Sequence, residues 1–232
     1  MKIRRIFEQI EIIKMAGVKN LKLVLSFLMM LSIVIIILIG SFRSIVNDYE
    51  FYILQHEKNG VYESLGKDYT LEITKNWIFF LQNKAELRFF EGDEKSHLYD
   101  VKRLYGLFNA IYTISIIMLI FSIIIYSYID HEQFFQKFMR NMFYSSITCL
   151  ILLLILFVLS LNFNSAFTQF HNLFFPQGNY LFPAGALIIT IFSKQFFIDL
   201  VSKSLFFILV KITIILIITS IYLFVNKKKQ QP

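Results

Sequence analysis

The chain of 232 residues contains one cysteine, three prolines, one tryptophan and only eight glycines. One cysteine excludes an internal disulfide and any cysteine-based metal site. Cys149 lies inside an apolar run, where it reads as a small buried side chain. So few glycines mean that close helix packing through glycine contacts is not the organising theme. A Gly-x-Ser-x-Gly elbow is missing, and so are His-x-x-x-His and paired-cysteine spacings, which leaves no metal set. Any chemistry must therefore use a histidine, or a nucleophile that the substrate itself brings. Charge is also scarce: Asp, Glu, Lys and Arg make up 17% of the chain.

Apolar residues are what the chain has instead. They make up 56%, against about 45–50% in soluble proteins, and 27 of them are phenylalanine. The mean hydropathy is +0.61, which places the chain among integral membrane proteins. The net charge of +7 is concentrated in the two tails, so it reads as membrane topology and no nucleic-acid partner is expected.

Four runs are long enough to cross roughly 30 Å of hydrocarbon: residues 21–46, 107–128, 142–161 and 205–225. The bases Lys2, Arg4, Arg5, Lys14 and Lys19 precede the first and Lys22 stands at its start, and Lys227, Lys228 and Lys229 follow the last. Lys137 and Arg140 lie in the short connection 129–141. The positive-inside rule puts all three segments in the cytoplasm. The expected fold is thus an all-α integral membrane protein with four transmembrane helices and both termini cytoplasmic. A small extracellular region, built from segments 47–106 and 162–204, caps it. Residues 1–20 form a basic arm whose Ile3, Ile6, Phe7, Ile10 and Ile13 share a helical face, and 226–232 form a basic tail.

In the first outer segment, Asp68 is placed to cap a helix over residues 69–83 with Ile73, Trp77, Phe80 and Leu81 on one face. Residues 87–90 read as a short extended piece, and Asp93 or Ser96 starts a helix that continues into the second span. On that helix His97 and Asp100 share a face, a spacing at which a carboxylate can orient an imidazole. In the second outer segment His171 lies between aromatics and the Pro176–Gly178 stretch, which predicts a non-helical turn. The run 184–192 is too short to span and reads as a re-entrant or interfacial helix.

Of the four histidines, His131 and His56 sit in polar stretches and read as solvated. His97 and His171 both belong at the outer interface. They are either a shared site or two amphipathic rings at the headgroup boundary. Arg43, at the outer end of the first span, either snorkels or contacts a lipid headgroup or ester carbonyl. Gly178-Asn179 is a turn signal, and Asn179 with nearby backbone N–H groups is also a candidate oxyanion donor.

Two motifs together carry a resemblance. Glu94-x-x-His97-Leu98-x-Asp100-Val101-Lys102 precedes the second span, and Phe170-His171-x-x-Phe174-Phe175-x-x-Gly178-Asn179-Tyr180-Leu181-Phe182-Pro183 precedes the fourth. They resemble the lipoprotein intramolecular transacylase (Lit) family, four-span cell-membrane proteins of low-GC Gram-positive bacteria with an outward-facing active site. The resemblance covers most of the chain, up to about Asp199. It implies an acyltransferase that moves the sn-2 acyl chain of a diacylglyceryl lipoprotein from glycerol to the α-amino group of the lipidated N-terminal cysteine, leaving a lyso form. It places His97 and His171 on the family's two essential histidines; Asp100, Asn179, Arg43 and Tyr180 are the candidate supporting or substrate-binding residues beside them. Tyr180 stands where Trp is more usual, and Ser193-Lys194 where Pro and an acidic residue are. Donor and nucleophile both come from the substrate, so no cofactor is expected. The partners implied are the lipoprotein and membrane lipid, with a monomer favoured.

A reading from another class is a non-catalytic membrane accessory or envelope-stress scaffold, in which the two histidines are merely interfacial. A third, a metal-dependent lipid hydrolase, predicts inhibition by chelators.

Overall fold

The computed structural model describes residues 2–229, with side chains from 15 to 228. Among them every regular element is a helix: α1 (Lys2–Val46), α2 (Tyr49–Lys58), α3 (Val61–Leu65), α4 (Lys67–Leu81), α5 (Gly92–Ile129), α6 (His131–Ser160), α7 (Phe163–Phe174), α8 (Leu187–Ile191) and α9 (Lys194–Lys229). Helices α1, α5, α6 and α9 are long and apolar enough to cross a membrane. The apolar face expected for the N-terminal arm falls on side chains outside those described. The connection expected over 129–141 is a single residue, Asp130, so Lys137 and Arg140 stand on α6 itself.

At 1.5 Å per residue, the 38 residues of α5 reach about 57 Å, well beyond the hydrocarbon thickness. Its apolar stretch starts near Leu107. The first four turns, which carry Glu94, Ser96, His97 and Asp100, therefore project out of the hydrocarbon as the expected continuation of the span.

The chain divides into two compact units. One combines Thr113–Leu150 with the terminal segments Met1–Ile37 and Lys211–Pro232, as far as these are described. Leu25, Met29 and Tyr126 form its buried cluster, Lys22 pairs with Asp130 at 2.6 Å, and Ser145 Oγ donates to the Met30 carbonyl. Cys149 is fully buried there, as its apolar context suggests.

The second unit, Leu38–Tyr112 with Ile151–Val210, holds a core of aromatic and branched side chains. The face foreseen for α4 is its centre: Ile73, Trp77, Phe80 and Leu81 are all buried. Trp77 meets Phe192 at 5.4 Å between centroids, and Phe51 and Tyr52 meet Phe196 at 5.4 and 5.3 Å. Asp68, however, lies in the first turn of α4 and does not cap it. Gly66 is the cap, with φ of 81°, a left-handed conformation that only glycine adopts cheaply. Beyond α4, the Asn76 side chain donates to the Glu86 carbonyl and accepts from Arg88 N–H, which fastens the irregular 86–88 stretch to the helix. Lys58–Asp199 and Lys203–Asp48 ion pairs join α2 to the start of α9. The run 184–192 contains only the five-residue α8, and its Ile188, Ile191 and Phe192 are buried in this core. Packing against protein thus accounts for much of its apolarity.

His56 corrects the solvated reading: it is 0% exposed. Thr74 Oγ donates to the Thr70 carbonyl, so His56 Nε2 is the donor to Thr74 Oγ at 2.8 Å, and Nδ1 is left buried without a partner. Burial lowers its pKa from 6.5 to about 4. Between those values the unfolded chain binds the proton and the folded one does not, so stability falls as pH drops through this window. The melting temperature of the detergent-solubilised protein is expected to fall from pH 6.5 to 4, and His56→Gln should flatten part of that slope. An unchanged slope would remove His56 as a cause.

Candidate active site

His97 stands in the second turn of α5, and His171 in the last turn of α7. The turn expected around His171 is instead the end of a helix. Asn162 caps α7 by accepting from Ser165 N–H, and the chain stays helical until Phe174, because proline disfavours helix at the residue before it. Pro176 and Gly178 form the turn that follows, closed by Gly178 N–H on the Phe175 carbonyl with Gly178 at φ 77°.

The two imidazoles come together. Their centroids are 5.8 Å apart and their planes 23° from parallel. They are 6% and 8% exposed. Aromatic rings enclose them: Phe175 and Phe182 lie edge-on to His97 at 4.7 and 5.6 Å, and Phe167 and Tyr180 cover His171 at 4.1 and 4.7 Å.

His171 Nδ1 is 2.8 Å from the carbonyl of Phe167, one turn back. A carbonyl only accepts, so Nδ1 carries the proton and the neutral ring keeps its lone pair on Nε2. His97 Nδ1 is buried without a partner. Burial lowers the pKa of both rings, to about 4 for His97, where His171 adds to the effect while Asn179 and Asp100 oppose it. Both are neutral at pH 7.

Asp100 does not orient His97 by a hydrogen bond. Its carboxylate accepts from the side-chain amides of Gln177 and Asn179, at 2.8 and 2.9 Å, and acts on His97 only through charge. Asn179 also reaches Ser96 at 3.4 Å. Glu94, one turn before, accepts from Ile188 N–H at the start of α8. The first turns of α5 therefore hold the returning chain 177–188 at two points. Tyr180 adds a third tie through its hydroxyl, which donates to Asn172 at 2.6 Å. Gln177 and the Phe167 carbonyl were not singled out by sequence. The i−4 spacing from His171 would have marked Phe167 had α7 been read as helix.

Arg43 has no described contact with either histidine. Its guanidinium lies 4.3 Å from the centroid of the Tyr112 ring, and its Nε is buried without a partner. Gly40 permits this arrangement, because a Cβ there would come within 3.0 Å of Tyr112. No group of three or more His, Cys, Asp or Glu side chains able to hold a metal occurs among the described residues.

Four helices long and apolar enough to span define a multi-pass membrane protein. The model of the family "Lipoprotein intramolecular transacylase Lit" matches residues 27–197, and the chain belongs to that family. A search of curated proteins gives no match. Solved structures of the membrane integral lipoprotein intramolecular transacylase Lit from Bacillus cereus share the fold. One aligns at TM-score 0.70 and 18% identity over 91% of this chain and 99% of its own. A form with one histidine changed to arginine aligns at 0.73 and 19%, over 95% and 99%.

If Asp100 serves the loop, Asp100→Asn should keep most function, since an amide oxygen still accepts both bonds. Asp100→Ala should cost roughly tenfold in activity and raise hydrogen exchange over 177–180, each lost bond being worth about 0.5–1.5 kcal/mol. Equal damage from both variants would restore the charge-orienting role. Separately, nitrogen NMR of labelled histidine should find His171 as the Nδ1–H form at pH 7.

Proposed function

We propose that the chain is an intramolecular O-to-N acyltransferase acting on diacylglyceryl lipoproteins, with the histidine pair on the extracellular face. The observation that carries this reading is the stacked, neutral pair with a free Nε2 on His171. A neutral imidazole pair of this kind can both take and give a proton. Family membership supports the substrate class, and the basic tails support the orientation.

The α-amino group of the lipidated cysteine, whose ordinary pKa is about 7.7–8.0, attacks the sn-2 ester carbonyl. A C–N bond forms as the amine proton passes to His171 Nε2. His97, neutral and with one N–H to give, stabilises the oxyanion together with Asn179. The C–O bond to glycerol then breaks, and the proton on His171 goes to the sn-2 alkoxide. An ester becomes an amide with no other reactant. Both groups belong to one molecule, so proximity is supplied once the lipid is seated. On this reading Arg43 meets the lipid headgroup, and Tyr180, which packs on His171, lines the pocket.

Mass spectrometry of a lipoprotein N-terminal peptide tests this. The N-acyl, lyso-glyceryl form should appear only in cells with the protein. It should fall by about 10²–10⁴ in His171→Ala and His97→Ala, with protein levels in the membrane unchanged. Full activity in both variants overturns the assignment. A base must be neutral, and the lowered pKa of His171 keeps it so below pH 6.5. The limb that belongs to His171 should therefore lie below 6.5, apart from the one set by the substrate amine at about 7.7–8.0, and a limb above 6.5 that disappears only in His171→Ala contradicts His171 as base.

A further inference from the structure

Helix α7 is divided lengthwise. At 3.6 residues per turn, Phe163, Ala166, Phe167, Phe170, Leu173 and Phe174 occupy one half of its circumference. Asn164, Ser165, Thr168, Gln169 and Asn172 occupy the other, and His171 falls on the border between them. Only part of the apolar half is used by protein: Phe167 packs on His171 and Phe197. Leu173 is 72% exposed, Phe170 and Phe174 are exposed beside it, and Leu181 just beyond is 79% exposed. This bare face continues a surface already turned to lipid, because Val158, Leu159 and Leu161 at the end of the α6 span are exposed apolar residues that run into α7 through Asn162.

We infer that α7 lies flat in the outer leaflet with Phe170, Leu173, Phe174 and Leu181 among the acyl chains, and that this sets the depth of His171 at the glycerol esters. The occupant of the face is lipid. A helix with no Asp, Glu, Lys or Arg offers nothing for a charged protein partner, and it has no cationic face for the phosphate layer. Amphipathic helices of this kind sink about 5–10 Å, to the boundary of headgroups and chains. A side chain on the border of the two halves then sits at that boundary, where ester carbonyls lie. The inference rests on the transacylase reading for its consequence: the sn-2 ester reaches the imidazoles by diffusing in the leaflet, without being lifted from it.

Nitroxide labels at Leu173→Cys and Thr168→Cys, with the protein in phosphatidylglycerol–phosphatidylcholine vesicles, measure the depth directly. Cys149 is fully buried and stays unlabelled. Both sites are exposed helix positions, so labelling should leave folding intact. The label at Leu173 should relax with oxygen and be shielded from a water-soluble nickel chelate, and the label at Thr168 the reverse. Equal access of the chelate to both sites overturns the inference, as does equal shielding of both. Since no turnover is needed, a failure here is distinct from a failure of the transacylase reading, which lyso-form production by the unlabelled protein reports.

Discussion

Two imidazoles with centroids 5.8 Å apart can share a dry pocket only while at most one is charged. At an effective dielectric of roughly 20, two unit charges at that separation repel by about 3 kcal/mol, and desolvation adds to this. The cap is arranged so that neutrality is the stable state. Rings of Phe167, Phe175, Tyr180 and Phe182 exclude water, and no carboxylate hydrogen-bonds either ring. Asp100, one turn after His97, accepts from two side-chain amides instead. A single main-chain carbonyl then fixes which nitrogen of His171 keeps its lone pair.

Holding that pair requires segments distant in sequence to meet, and α5 is the post on which they do. Glu94 and Asp100, on its projecting turns, grip the chain as it returns between α7 and α9. Behind the post, α4 supplies the core against which α8 and the start of α9 pack. The Lys58–Asp199 and Lys203–Asp48 pairs are partly exposed, so they contribute to alignment more than to stability.

The spans, the buried face of α4 and the pair His97–His171 were legible in the sequence. The first two follow from hydrophobic run length and from 3.6-residue periodicity, signals that need no tertiary contact. The pairing came through family motifs; composition alone left it open. What stayed hidden is set by tertiary packing. His56 looks solvated because its neighbours Gln55, Glu57 and Lys58 are polar, but burial is decided by Tyr52, Tyr62 and Thr74 around it. Asp100 looked like a partner for His97 because they share a helix face. Its true partners stand 77 and 79 residues away. Pro and Gly after His171 read as a turn around it, but the cap that makes α7 a helix, Asn162, lies nine residues earlier.

The low basicity of the pair looks at first like a poor choice for a base that must deprotonate an amine. The pocket removes the difficulty on the proposed route. The desolvation that disfavours imidazolium also disfavours ammonium, so the substrate's amino group loses its proton more readily on entering the same dry space. Base and acid are shifted in the same direction, and the gap between them changes less than either value. A serine or cysteine nucleophile would gain nothing from this arrangement, because burial raises the pKa of a hydroxyl or thiol and suppresses the anion it must form. The aromatic dryness of the site thus suits the proposed chemistry, in which a neutral amine attacks an ester held beside it.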